Sequence, residues 1–142
     1  MLDVNYIVGL VDGEGSFTVY VKRPNSEKSV KRRVRVELKF YLKLVEKDKD
    51  ILYELKKFFG CGNVYFQKDT RSNHQNCYRY EVGKRSDLME VIIPFFQKNQ
   101  LLLTSKQKDF TVFCRLMELV EKDIHLTDSG LDRICRIKQQ MH

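Results

Sequence analysis

The chain has 142 residues, with 26 Lys plus Arg against 19 Asp plus Glu for a net charge of +7. Its 42% hydrophobic and 32% charged residues and its two prolines predict one soluble, folded domain over residues 1–142 and exclude a disordered chain. No apolar run approaches the ~20 residues that span a bilayer, so no membrane segment is expected.

Residues 4–13, inside YIVGLVDGEGSF, carry the apolar spacing of a short buried helix capped by Asp3 or Asn5. Gly13 and Gly15 are expected to end it through the left-handed backbone that glycine adopts readily. SFTVYVK alternates Phe17, Val19 and Val21 against Ser16, Thr18, Tyr20 and Lys22, the period of a half-buried strand. After the polar turn RPNSEKS comes VKRRVRVELKFYLKLV. Here Val34, Val36, Leu38, Phe40, Leu42 and Leu44 point one way, and Arg33, Arg35, Glu37, Lys39, Tyr41 and Lys43 the other. One face belongs to a core, and the other is a cationic ribbon.

EKDKDILYELKKFFG is an amphipathic helix closed by Gly60. GNVYFQ and CYRYEVG are two further strands joined by the polar loop KDTRSNHQN. SDLMEVIIPFFQKN starts on a capping serine, Ser86, and is helical up to Pro94, which kinks or ends it. TSKQKDFTVFCRLMELVEK and TDSGLDRICRIKQQM close the chain as helices, the second capped by Thr127. The predicted fold is α+β, an α-β-β-α-β-β-α core plus C-terminal helices, with one sheet face covered by helices. Cys61, Cys77, Cys114 and Cys135 lack C-x-x-C spacing, which favours buried thiols in a reducing compartment over a zinc site. The N-terminus shows no secretory signal pattern.

Two features point to chemistry. Between Lys22 and Lys39 lie eight basic residues against Glu27 and Glu37, a concentration that favours a polyanion as partner, with a solvated loop as the bland alternative. Asp12 and Glu14 lie at the end of the first helix, where unsatisfied carbonyls already carry partial negative charge and an acid costs about 0.3–1 kcal/mol. Two acids flanked by glycines fit a divalent cation, because magnesium takes carboxylate, carbonyl, phosphate and water oxygens. The competing reading is a turn with solvated acids. Taken with the basic face, the cation reading implies metal-dependent phosphodiester hydrolysis on nucleic acid.

IVGLVDGEG, Ile7 to Gly15, resembles the defining motif of the LAGLIDADG homing endonucleases. KDKDILYELKKFFGCGNV, IIPFF, LLTSKQKDFTVF and HLTDSGLDRICRIKQQM are similar to later blocks of that family in the same order. The resemblance implies a saddle-shaped antiparallel sheet that binds double-stranded DNA, and cleavage that depends on Mg2+ (or Mn2+). It places the metal-binding acid at Glu14, a carbonyl ligand at Gly13, and a mainly structural acid at Asp12. The site lysine falls on Lys106, with Lys108 as the fallback. Glu46 stands where relatives often carry a glutamine near the attacking water, and its carboxylate would either orient that water or repel the phosphate.

Single-motif members of the family are homodimers, which implies a near-palindromic target and motif helices packed through Gly9 and Gly13. Strand alternation then makes Thr18, Tyr20, Lys22, Arg33, Arg35, Glu37, Lys39, Tyr41 and Lys43 candidates for DNA contact, with Tyr65, Gln67 and Arg79 from the second hairpin. Arg133, Arg136 and Lys138 of the last helix could contact the DNA backbone, with a solvated helix face as the preferred reading. Other readings are an intron-RNA-binding maturase without cleavage, which loss of the motif acid would favour, and a transcription regulator on the same fold. The expected location is intracellular, in a bacterial or archaeal cytoplasm or in an organelle.

Overall fold

A computed structural model of the chain describes residues 2–22, 34–69, 71 and 75–142. Helix α1 (Val4–Glu14) begins where the Asp3 carboxylate accepts the Asn5 N–H at 2.7 Å, so Asp3 is the cap. Gly13 is helical, and Gly15 opens strand β1 (Gly15–Lys22) at φ −77°, so neither glycine takes the left-handed turn expected of it. Close approach explains Gly15 instead. A Cβ there would lie 2.7 Å from Val11 Cγ1 and 2.9 Å from the Val11 carbonyl oxygen.

Strand β2 (Arg35–Val45) runs antiparallel to β1, with Gly15 opposite Leu42 and Lys22 opposite Arg35. A short 3-10 turn (Glu46–Asp48) leads into α2 (Lys49–Phe59), which Gly60 closes at φ 71°, here in the left-handed region. Strands β3 (Asn63–Gln67) and β4 (Cys77–Val82) complete a four-stranded antiparallel sheet of order β1-β2-β4-β3. The expected α+β arrangement is present.

Helix α3 covers residues 85–98 and does not stop at Pro94. Its middle turn, Leu88–Ile92, widens to π geometry, in which the Ile93 N–H reaches the Leu88 carbonyl. Proline lacks an N–H and its ring crowds the carbonyl four residues back; one wide turn just upstream relieves both problems without ending the helix. Ser86 lies inside the first turn, and the N-cap is Lys84 with no side-chain bond. Helix α4 (Thr104–Glu121) and helix α5 (Asp128–Lys138) follow, the latter capped as expected by Thr127 Oγ1 accepting the Gly130 N–H at 3.0 Å.

Helices α1 and α4 pack on β1, and α2 packs on β2 and β4. The core between them is aromatic. Phe17 lies 5.1–5.7 Å, ring centre to ring centre, from Phe40, Phe96, Phe110 and Phe113. Tyr80 is fully buried and donates its hydroxyl to the Cys61 carbonyl at 2.8 Å, while burial pushes its phenol well above the ordinary range. With this face filled, the other face of the sheet carries the alternate residues of every strand.

Candidate active site and nucleic-acid interface

The two motif acids part company at the end of α1. Two residues apart on a helix means about 200° around it, so Asp12 turns inward and is 8% exposed, while Glu14 is exposed. Asp12 accepts the Leu102 N–H at 2.9 and 3.2 Å and the Leu103 N–H at 3.3 Å. Leu103 is the N-cap of α4 and supplies no side-chain bond of its own. The carboxylate therefore meets the positive end of α4, which answers its apparent misplacement at the negative end of α1.

The same helix start delivers a lysine. Lys106, in the first turn of α4, donates from Nζ to the Gly15 carbonyl, one residue beyond Glu14. Lys108 is exposed. Glu14 makes no ion pair among the described residues. Gly13 belongs to the last turn of α1, whose carbonyls lack intrahelical partners. Glu14, Gly13 and Lys106 are thus gathered at one junction.

Glu46 is not gathered there by any contact. It begins the 3-10 turn after β2, four residues past Leu42, the partner of Gly15; extended, that is about 13 Å along the strand. Its N–H donates to the Asn76 carbonyl at 3.0 Å, and it lines a cavity with Lys47, Lys49, Gln75 and Asn76. The similarity through KDKDIL singled out Glu46, and among the described residues no hydrogen bond or ion pair links its side chain to Glu14.

The predicted DNA-contact residues share one face because strand register preserves their parity. Lys22 stands opposite Arg35, Tyr20 opposite Glu37 and Thr18 opposite Lys39. Lys43, Arg79 and Tyr65 form one row across β2, β4 and β3, and Gln67 lies in the next row, opposite Cys77. Arg33 lies outside the described residues. Thr18 departs from the expectation of an open contact: it is 8% exposed and donates Oγ1 to the Lys39 carbonyl at 3.3 Å. Its side chain is too short to rise above its longer neighbours.

Sequence reasoning passed over Glu81, which pairs with both Lys39 and Arg79 on this face. The same alternation that exposed Arg79 would have found it two residues on. It also passed over the apolar rim of α1. Tyr6 is 48% exposed, and Leu102 and Leu103, held by Asp12, are 82% and 51% exposed. Among the described residues a Cβ added at Gly9 or Gly13 would meet nothing within 4 Å, so no packing there demands either glycine.

A profile of the LAGLIDADG endonuclease family matches residues 7–117, from α1 into α4. The chain belongs to the LAGLIDADG endonuclease family. Among curated relatives of this LAGLIDADG chain, the "Probable intron-encoded endonuclease 3" of Neurospora crassa is 37% identical over 135 residues, which cover 94% of this chain and 24% of the relative. The "Homing endonuclease I-ApeII" of Aeropyrum pernix is 28% identical over 108 residues, 76% of this chain and 58% of that protein. The chain therefore spans less than two thirds of these relatives.

Among solved structures, the homing endonuclease I-TnaI matches with a TM-score of 0.82 and 38% identity over 99% of this chain and 88% of its own. The LAGLIDADG homing endonuclease I-SmaMI bound to cleaved DNA matches at 0.85 and 29% identity, over 99% of this chain and 44% of that one.

Proposed function

We propose that the chain is a site-specific double-strand DNA endonuclease that works as a homodimer on a long, near-palindromic site by divalent-metal-dependent phosphodiester hydrolysis. The observation that carries this reading is the exposed Glu14 at the end of α1, without an ion pair among the described residues, with Lys106 anchored on the very next carbonyl. The names of the relatives support the DNA endonuclease part of this reading, as do structures of I-SmaMI with cleaved DNA and with an uncleaved DNA target in the presence of calcium ions.

The donor set fits a hard cation. Glu14 and the Gly13 carbonyl offer oxygen only, the ligand type that Mg2+ or Mn2+ takes. Among the described residues no three His, Cys, Asp or Glu side chains cluster as a metal cage; Glu14 and the Gly13 carbonyl would hold the ion together with DNA phosphate and water oxygens. A divalent ion held there would supply Lewis acidity toward water and the phosphoryl oxygens. Asp12 ties α1 to α4, which holds Glu14 in place before DNA arrives. Lys106 fixes the backbone beside Glu14 and brings positive charge to the phosphoryl oxygens. Glu46 contributes at the rim of the site rather than at the metal.

A double-strand break needs two such sites. The bare strip of Gly9 and Gly13, flanked by exposed Tyr6, Leu102 and Leu103, suits close contact with a second copy of α1. The outward sheet face then lies along the major groove, which accepts β-ribbons. The protein acts in whichever compartment holds its target DNA, a cytoplasm or an organelle. Among the described residues no helix is long and apolar enough to cross a membrane.

The deciding experiment is a cleavage selection on random duplex DNA with magnesium, run beside Glu14→Gln. The reading expects one roughly two-fold symmetric site cut on both strands by the parent and uncut by the variant. Retention of DNA without cleavage by both proteins, or displacement by intron RNA, would establish a binding protein in its place.

A further inference from the structure

The outward face of the sheet is not a uniform cationic surface. Five side chains from β1, β2 and β4 form one connected network. Lys39 Nζ lies 5.8 Å over the Tyr20 ring and 3.7 Å from Glu81 Oε2. Glu81 Oε1 is 2.9 Å from Arg79 Nη2, and the Arg79 guanidinium lies 3.5 Å from the centre of the Tyr41 ring. The register builds it: Tyr41 stands opposite Glu81, and Arg79 opposite Lys43. Arg79 and Glu81 side chains are only 18% and 19% exposed, and Arg79 Nε is covered and has no hydrogen-bond partner among the described residues.

Arg35 and Lys43, by contrast, are exposed and make no ion pair among the described residues. The face thus carries two kinds of cation: some are free to meet phosphates, while Lys39 and Arg79 are tied to an acid in the middle of the sheet. An acid placed there lowers general attraction to a polyanion. It therefore has to be explained by something other than affinity.

We propose that Glu81 is a specificity-determining residue of this face: it withholds Lys39 and Arg79 from the phosphates and, with Arg79, reads a single G·C pair in each half of the target. The proposal rests on the reading of the chain as a DNA endonuclease. In the major groove a G·C pair presents two acceptors, O6 and N7 of guanine, beside one donor, the N4 amine of cytosine. Arg79 and Glu81 present the complement, a guanidinium donor beside a carboxylate acceptor. An A·T pair presents acceptor, donor, acceptor in turn and matches that couple poorly. Tyr41 holds the guanidinium flat, so the couple is formed before DNA binds.

The test compares the full chain with Glu81→Gln and Arg79→Lys, each checked by circular dichroism for a parental spectrum and melt. Binding to a random-sequence duplex is measured from 50 to 200 mM salt, and bound duplexes are selected from a random library. Glu81→Gln is expected to bind non-specific duplex several-fold more tightly at low salt. Its slope of log K against log salt should steepen by about one to two, because each cation released to a phosphate adds about 0.9. The G·C preference at one position per half-site should disappear. Arg79→Lys keeps the charge, so it should keep the parental slope while losing the same preference. A Glu81→Gln protein with the parental slope and the parental selected bases would overturn the proposal, as would an Arg79→Lys protein that still selects G·C. A parent that binds no duplex would overturn the endonuclease reading itself, and the proposal with it.

Discussion

Replacing Asp12 by alanine tests the joint between α1 and α4. The carboxylate accepts two backbone N–H groups from a segment 90 residues away, with the shortest contact at 2.9 Å and the longest at 3.3 Å. A hydrogen bond to a charged group contributes roughly 1.5–3 kcal/mol. The longer contact to Leu103 adds about 1 kcal/mol or less, and the helix N-terminus about 0.3–1 kcal/mol. Asp12→Ala is therefore expected to lower stability by about 3–4 kcal/mol. Asp12→Asn keeps one acceptor oxygen but turns an amide donor towards a donor, so about half that loss is expected. For a chain of this size each kcal/mol moves Tm by about 3–4 °C, which puts the alanine variant about 9–16 °C below the parent. Urea titration with linear extrapolation measures the free energy, and calorimetry the midpoint. A loss below 1 kcal/mol for Asp12→Ala would refute the structural role. So would undiminished stability combined with a specific loss of metal-dependent cleavage, which would make Asp12 a ligand.

Three glycines of the motif separate sharply by what surrounds them. Gly9→Ala and Gly13→Ala meet open space among the described residues and should leave monomer stability unchanged or raise it by up to ~1 kcal/mol through helix propensity, while under the proposed homodimer analytical ultracentrifugation should show weakened self-association. Gly15→Ala drives a Cβ into Val11 and should cost about 1–3 kcal/mol without that selective effect on association. His125 is buried, its Nδ1 has no partner among the described residues, and burial together with Arg85 holds its pKa below the ordinary 6.5 against the opposing pull of Asp123. Below about pH 6.5 the unfolded chain binds a proton that the folded chain resists, so stability should fall as pH drops through that range. Denaturation midpoints of the parent should show this decline, and His125→Gln should flatten it.

Much of the architecture is local and therefore legible in residue order. The alternation in Val34–Leu44 needs only the two-residue period of a strand to separate core from outer face, and the register later keeps Lys43, Arg79 and Tyr65 in one row. Thr127 caps α5 and Gly60 closes α2 because each acts on its own next turn. The endings of α1 and α3 depend instead on packing. Gly15 is required by contact with Val11 rather than by its φ, and the wide turn at Leu88–Ile92 absorbs Pro94 while buried Leu88, Ile92, Ile93 and Phe96 hold the helix to the core.

The sequence by itself determined the α+β class, the sheet face that carries the cations, and the motif that places Glu14 and Gly13 at the end of α1. It could do so because periodicity, capping and motif spacing depend on near neighbours. Only the tertiary structure decided which motif acid is buried, that Lys106 reaches the Gly15 carbonyl, that Thr18 is covered, and that Glu81 holds two of the expected DNA-binding cations. Those properties are set by partners far away in the chain. A carboxylate acquires its role from the dipoles and charges packed around it, and that packing exists only once the sheet and helices have closed on one another.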